Sequence, residues 1–124
     1  MTILPTSFFN RPTLTVAREL LGKRLNRRMR NKTVSGLITE TEAYDGPHDR
    51  ASHASRGRTP RTEVMFGAPG TIYVYLIYGM HWCLNLVTGP KDYPAAVLIR
   101  GVIVEGIPSK ETNGPGKVGR LLTI

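Results

Sequence analysis

The chain has 124 residues, of which 40% are hydrophobic and 21% are charged. This length and balance exclude a disordered chain and predict one folded domain over residues 1–124. Seventeen Lys and Arg residues against nine Asp and Glu residues give a net charge of +8, which favours a polyanionic partner, nucleic acid before an anionic membrane surface. The single cysteine, Cys83, excludes a disulfide framework and is expected to be a small core residue.

The first third of the chain predicts a short helix followed by an exposed strand. After Pro12, apolar residues recur at helical spacing from Leu14 to Leu21, and Gly22 is placed to end the helix. The next segment, 23–32 (KRLNRRMRNK), is dense in Lys and Arg and predicts a strand that turns at its end. Its charge fits two interpretations equally well, a solvated edge strand or a phosphate-facing strip.

A second strand carries the first candidates for chemistry. Residues 34–44 (VSGLITETEAY) alternate so that Ile38, Glu40, Glu42 and Tyr44 share one predicted face. A carboxylate on the continuation of an apolar face is a candidate for a functional acid. The alternative is that this end of the sheet emerges into solvent with both carboxylates hydrated.

Residues 45–62 (DGPHDRASHASRGRTPRT) predict a long loop with a short helical turn, rich in Gly, Pro, Ser and charge. Loops of this length without regular structure are usually functional or mobile. Arg56, Arg58 and Arg61 lie among hydroxyl-bearing residues in this loop, and that combination is suited to gripping phosphates.

Residues 71–87 (TIYVYLIYGMHWCLNLV) predict a buried β-hairpin with a two-residue type II′ loop at Gly79-Met80. Its tip is unusual, because Tyr78 and Met80 are large where a turn usually has small polar residues. The last predicted strand, 95–105 (AAVLIRGVIVE), is apolar except for Arg100. That charge either reaches solvent at a sheet edge or belongs to a site.

Three kinds of chemistry fit the carboxylates and histidines between residues 40 and 53. A metal-dependent nuclease could use Glu40, Glu42, Asp45, His48 and Asp49 with His53, although no H-E-x-x-H pattern is present. A non-enzymatic nucleic-acid binder would use the aromatic side chains to stack on bases. The third possibility is general-base catalysis by one carboxylate beside a base-stacking pocket.

The motifs ETEAY (40–44), ASHASRGRTPR (51–61) and YVYLIYGMHWCLN (73–85), followed by AAVLIR (95–100), closely resemble the bacterial form of the alkyladenine (3-methyladenine, methylpurine) DNA glycosylase family. The resemblance covers residues 8–100. It implies a single α+β domain with a curved, mostly antiparallel sheet, peripheral helices and a protruding β-hairpin, similar to the C-terminal domain of formyltransferases.

The resemblance also implies an activity and roles for individual residues. The expected enzyme is a monofunctional glycosylase that flips alkylated purines, and hypoxanthine as a further candidate, out of duplex DNA and leaves an abasic site without a metal or cofactor. Glu42 matches the general base that activates water, and Arg100 matches an arginine near that water. The remaining matches are Tyr44, His53, Tyr75 and Asn85 in the base pocket, Tyr78 and Met80 as the DNA wedge, and Arg56, Arg58 and Arg61 as phosphate contacts.

The implied partner is double-stranded DNA that contains alkylated bases. The protein is expected to be a monomer, to be associated with the nucleoid in the cytoplasm and to have no membrane partner. The resemblance thins after Arg100. A G-P-G-K element at Gly114 matches a helix start of the family but arrives early, so we expect the C-terminal part of the family fold to be reduced or missing. The alternative function is therefore a catalytically inactive, truncated DNA-binding homologue.

Overall fold

A computed structural model describes residues 3–77 and 79–123, apart from the side chains of His53, Arg56 and Ile77. The fold is α+β, as predicted: a curved, antiparallel, five-stranded sheet in the order β1-β2-β5-β4-β3 with short helices around it. The strands are β1 (Arg24–Arg28), β2 (Thr33–Asp45), β3 (Ile72–Ile77), β4 (His81–Val87) and β5 (Ala95–Ile103). The helices are α1 (Thr6–Phe9), α2 (Thr13–Leu20) and α3 (Pro115–Leu121), with 3₁₀ turns at His53–Arg56, Glu63–Phe66 and Ser109–Glu111.

One face of the sheet packs against α2 and α3. The predicted first helix is present, but it buries Val16, Ala17 and Leu20, whereas Leu14 and Leu21 are exposed. Of the four residues predicted to recur on the buried face, Leu14, Ala17, Leu20 and Leu21, only Ala17 and Leu20 are buried, and Val16 joins them. We call the apolar layer on this side of the sheet the helix-side core; its buried members are Phe9, Val16, Ala17, Leu20, Ile38, Leu84, Val97, Ile99, Val102, Val118 and Leu122.

A second apolar layer lies on the opposite face of the sheet. We call it the pocket-side cluster; its buried members are Ala54, Met65, Tyr73, Tyr75, Cys83, Val87, Ala96 and Leu98. Ala54 and Met65 come from the two 3₁₀ turns of the long loop between β2 and β3, so that loop covers this face. Cys83 is fully buried here, as expected of a core residue, and burial raises the pKa of its thiol.

The alternation predicted for β2 fails at one point. The register between β2 and β5 shifts on both sides of Glu40, which marks a β-bulge. An extra residue at a bulge reverses the face of every side chain that follows it. Ile38 accordingly belongs to the helix-side core, whereas Tyr44 packs against the pocket-side cluster. The prediction that Ile38 and Tyr44 share a face is therefore wrong.

The hairpin is formed by β3 and β4, as predicted, but its register differs from the prediction. Ile72 pairs with Leu86 and Ile77 pairs with His81, so the pairing is symmetrical about Gly79. This register is incompatible with a two-residue loop at Gly79-Met80, and that prediction is wrong. Gly79 has a φ of 69°, a left-handed value that glycine adopts without strain.

The predicted helix start at Gly114 is confirmed by α3, which begins at Pro115 with Gly114 as its N-cap. This helix lies very close to β4, because a Cβ atom on Gly119 would collide with the carbonyl oxygen of Trp82. The longest described helix, α2, has eight residues. Within residues 3–77 and 79–123, no helix has the length and apolar content to cross a membrane.

Candidate active site

Two donors hold the Glu42 carboxylate, one on each oxygen. The Tyr44 hydroxyl donates to Oε1 at 2.7 Å, and Arg100 Nη1 donates to Oε2 at 2.9 Å. The side chains of Glu42 and Arg100 are 40% and 41% exposed. The carboxylate is therefore fixed in orientation but still accessible to water. A general base for a water nucleophile needs both properties.

The β-bulge explains how Arg100 reaches Glu42 from inside an apolar strand. In the β2–β5 register Thr41 pairs with Ile99 and Glu40 pairs with Gly101, which leaves Arg100 without a partner position. Bulges commonly re-aim a side chain in this way beside functional sites. The sequence left open whether Arg100 reaches solvent at a sheet edge or belongs to a site. The structure favours a site, because the guanidinium of Arg100 forms an ion pair with Glu42 beside the pocket.

A pocket of about 170 Å³ opens on the same face of the sheet. Residues at matched cross-strand positions share a face, and one such row runs from Glu42 through Leu98 and Asn85 to Tyr73. This row places the carboxylate beside the pocket. The residues that line the pocket are Tyr44, Ala51, Ser52, Met65, Tyr73, Tyr75 and Asn85.

Three tyrosines supply the aromatic walls. The rings of Tyr73 and Tyr75 have centroids 5.4 Å apart and are tilted by 42°. Burial, followed by the hydrogen bond to Glu42, raises the pKa of Tyr44, and burial is also the main cause that raises the pKa of Tyr75 to about 12. At neutral pH these side chains are therefore uncharged phenols. They offer flat π faces together with hydroxyl groups that can donate hydrogen bonds.

The structure brings five of the predicted site residues together: Glu42, Arg100, Tyr44, Tyr75 and Asn85. Asn85 is 1% exposed, and its amide Nδ2 donates to the Cys83 carbonyl at 3.3 Å. This hydrogen bond fixes a buried amide at the pocket wall, where it can distinguish groups on a ligand. The roles assigned to these residues in DNA remain predictions.

Other predicted residues lie partly or wholly outside the described part of the chain. Tyr78 lies outside it altogether, and so do the side chains of His53 and Arg56. The backbone at His53 begins a 3₁₀ turn that is capped by Ser52, whose hydroxyl accepts from Ala54 N at 3.2 Å. Met80 is 66% exposed beside the hairpin tip, a position compatible with its predicted wedge role.

Arg58 and Arg61, two of the arginines predicted to bind phosphate, make contacts within the protein. Arg58 forms ion pairs with Asp92 at 2.8 Å and Glu63 at 3.4 Å, and its guanidinium lies 4.3 Å from the centre of the Phe66 ring. Arg61 Nη2 donates to the Leu76 carbonyl at 3.1 Å. Both residues are exposed. Their predicted contacts with phosphate remain predictions.

Sequence analysis missed several pocket residues, above all Tyr73. The signal was present, because Tyr73 and Tyr75 are two positions apart on one strand and must share a face. Ser52 and Met65 gave no such signal, since they come from a loop whose path across the sheet cannot be read from periodicity.

The carboxylates proposed for a metal site have other partners. Asp45 Oδ1 accepts from the Tyr93 hydroxyl at 3.2 Å and from the Thr13 hydroxyl at 3.3 Å, and the Asp49 carboxylate accepts from the backbone N–H groups of Asp45 and Ala51, each at 3.0 Å. In the described ranges of the chain, no three His, Cys, Asp or Glu side chains come together in a group that could hold a metal ion.

Comparison with known proteins gives a consistent result. A family model described as methylpurine-DNA glycosylase (MPG) matches residues 7–124. A protein of Wolbachia pipientis subsp. Culex pipiens is 54% identical over 99% of this chain and 65% of its own length. A Myxococcus xanthus protein is 55% identical over 98% of this chain and 64% of its own length. A Methanocella arvoryzae protein is 60% identical over 86% of this chain and 54% of its own length. All three carry the name "Putative 3-methyladenine DNA glycosylase", and this chain spans between about half and two thirds of their lengths.

Proposed function

The chain belongs to the methylpurine-DNA glycosylase family, and we propose that it excises alkylated purines from duplex DNA by hydrolysing the N-glycosidic bond. One observation carries this proposal above the others. Glu42 is oriented by Tyr44 and Arg100 and stays accessible to water beside a tyrosine-lined pocket. A fixed carboxylate next to an aromatic pocket suits hydrolysis at a sugar carbon whose base is held in that pocket.

In the proposed reaction, Glu42 accepts a proton from a water molecule as the water oxygen bonds to C1′ of the damaged nucleotide. The bond from C1′ to the purine nitrogen breaks, and the bonding electrons leave with the base. The negative charge of Glu42 also stabilises the oxocarbenium-like sugar in the transition state. The product is an abasic site in an otherwise intact strand.

The pocket matches the charge of the substrate. Alkylation at N3 or N7 makes a purine cationic, so that it departs as a neutral molecule. The faces of Tyr44 and Tyr75 favour a cation over a neutral ring. Stacking and one general base are therefore sufficient for such lesions.

The damaged base must be extruded from the duplex, because the pocket is a recess in the protein that a base stacked in the double helix cannot enter. We assign the wedge to Tyr78 and Met80 at the hairpin tip, where large side chains would fill the gap left in the base stack. The net charge of +8 supports binding to the phosphate backbone.

The decisive experiment compares the wild-type protein with Glu42→Gln on duplexes containing 3-methyladenine or hypoxanthine. The substitution keeps the size of the side chain but removes its basicity, so base release should fall by about 10²- to 10⁴-fold. Glu40→Gln is the matched control, because Glu40 lies on the same strand but its carboxylate faces the Asn113 side chain and not Tyr44 and Arg100, and it should retain activity.

Other outcomes would support the competing hypotheses. A folded protein that binds duplex DNA in a salt-dependent way but releases no base would be the inactive DNA-binding homologue. Strand cleavage that is abolished by EDTA would indicate a metal-dependent nuclease. Full activity of Glu42→Gln would exclude Glu42 as the base.

A further inference from the structure

We propose that the Tyr73 hydroxyl donates a hydrogen bond to the purine in the pocket and assists the departure of neutral bases. This inference rests on the proposed glycosylase function and extends it, because it names the group that serves lesions without a positive charge. Tyr73 is distinct from Tyr44 and Tyr75, which we expect to stack on the base.

The first argument is an unsatisfied polar atom. Tyr73 lines the pocket and is 4% exposed, and its buried hydroxyl forms no hydrogen bond of good geometry in the described part of the chain, although the Arg61 guanidinium lies nearby. Such a group is unfavourable in a folded protein and calls for an explanation. A ligand that enters the pocket and presents an acceptor to this hydroxyl would satisfy it.

The second argument identifies the hydroxyl as a donor. Burial raises the pKa of Tyr73, against the opposing effects of the charge of the nearby Arg61 guanidinium and of its hydrogen bonding toward the hydroxyl oxygen, so the phenol stays protonated at neutral pH. A guanidinium has only donors, and Arg61 Nη2 donates to the Leu76 carbonyl. Arg61 therefore cannot accept the hydroxyl proton, which remains available to a ligand.

The third argument is the chemistry of the leaving base. A neutral purine such as hypoxanthine acquires negative charge as its bond to C1′ breaks, and a hydrogen-bond donor stabilises that charge. A cationic purine such as 3-methyladenine becomes neutral as it departs and gains much less from a donor. The benefit from Tyr73 should therefore be concentrated on neutral lesions, whichever edge of the base faces the hydroxyl.

The test measures single-turnover release of hypoxanthine and of 3-methyladenine from duplex DNA by the wild-type protein and by Tyr73→Phe. We expect hypoxanthine release to fall about tenfold and 3-methyladenine release to change less than about threefold. The Tm of Tyr73→Phe should be no lower than that of the wild type, because the lost hydroxyl had no hydrogen bond of good geometry. The matched control is Tyr93→Phe, which removes a hydroxyl bonded to Asp45 outside the pocket and should leave the ratio of the two rates unchanged.

The outcomes separate this inference from the function on which it rests. Equal losses on both lesions, or unchanged release of hypoxanthine, would overturn the role of Tyr73 and leave the glycosylase function standing. Wild-type release of 3-methyladenine without any release of hypoxanthine would have the same meaning. No release of either base by the wild-type protein would overturn the proposed function, and the inference with it.

Discussion

The Glu42–Arg100 ion pair gives different expectations for activity and for stability. Its two side chains are about 40% exposed, and ion pairs of this kind contribute only about 0–1 kcal/mol to folding. Arg100→Gln should therefore shift the Tm by only a few degrees. It should lower base release at least tenfold, because Glu42 loses one of its two orienting donors. Both quantities can be measured by thermal melting and single-turnover excision.

Arg24→Gln provides the control for this prediction. Arg24 is an exposed strand arginine whose guanidinium donates to the Ser35 hydroxyl at 3.0 Å, away from the pocket. Its substitution should leave base release at low salt close to the wild-type value. A collapse of the Tm in Arg100→Gln, or unchanged release of base, would contradict the positioning role of Arg100.

Tyr75 makes a separate prediction about stability at alkaline pH. Its pKa is raised from 10.0 to about 12, chiefly by burial. Because the unfolded chain loses this proton first, the stabilising contribution is complete below pH 10 and is lost as the pH rises through about 12. Through Tyr75 alone, stability should fall by up to about 1.4 kcal/mol per pH unit across this window, in addition to the contributions of other groups with raised pKa values such as Tyr44.

Urea unfolding between pH 9 and pH 12 measures this slope. Tyr75→Phe should reduce it, whereas Tyr93→Phe should have less effect because Tyr93 is 39% exposed. Parallel curves for the wild type and Tyr75→Phe would show that Tyr75 does not titrate as described.

At the level of the elements, the sequence predicts which segments are strands and where the hairpin lies, but not which side of the sheet each residue occupies. Periodicity assigns faces only while the pleat is unbroken. The bulge at Glu40 places Ile38 in the helix-side core and Glu42 on the pocket side. A bulge depends on the register with β5, which is a long-range property that local alternation does not encode.

The candidate site was predicted from a different kind of signal than the strand faces. Glu42, Tyr44, Tyr75 and Asn85 were matched through joined motifs, and their proximity in the structure agrees with that match. The strand spacing places Tyr73 on the same face as Tyr75, but nothing in the motif marks its hydroxyl as one that lacks a hydrogen bond of good geometry. That property appears only when the pocket-side cluster is packed.

The close contact of α3 with β4 predicts that alanine in place of a helix glycine destabilises the protein, the opposite of what helix propensity predicts. Alanine normally stabilises a helix over glycine by about 1 kcal/mol. In Gly119→Ala the new methyl group would meet the backbone carbonyl of Trp82, which cannot move away, so we expect destabilisation of about 1–3 kcal/mol. In Gly116→Ala the methyl group would lie 2.8 Å from the His81 ring, which can rotate, so the loss should be smaller.

Chemical denaturation of the two variants tests this order directly. A lower midpoint for Gly119→Ala than for Gly116→Ala, with similar slopes, is the expected result. If both substitutions were stabilising, as propensity alone predicts, α3 would not be packed against β4 as described.

At the scale of the whole molecule, the sheet separates two tasks. The helix-side core holds α2 and α3 against one face, while the other face carries the pocket and its carboxylate. The row from Glu42 to Tyr73 crosses four adjacent strands, β2, β5, β4 and β3. The site therefore depends on these four strands being assembled in register, whereas the edge strand β1 contributes no residue to the row.

The positive charges on and beside β1 either keep an exposed sheet edge in solvent or contact DNA phosphates, and an experiment can distinguish the two roles. Arg28 and Arg30 are exposed, and neither forms an ion pair with a carboxylate in the described ranges. Arg28 ends β1 and Arg30 lies in the turn that follows it. Cations at such an edge can release counterions from DNA, with a slope of log K against log salt of about 0.9 per phosphate neutralised. We therefore expect Arg28→Gln/Arg30→Gln to reduce that slope by about 1–2.

The control for the β1 variant removes two positive charges from positions outside β1. Lys91→Gln/Lys110→Gln lowers the net charge by the same two units but leaves β1 intact, so it should change the slope less. Titration of an undamaged 30-base-pair duplex at several salt concentrations measures both variants without any need for catalysis. Equal slopes for the two double variants would assign β1 to solubility and edge protection, because only a localised phosphate contact makes the position of the lost charge matter.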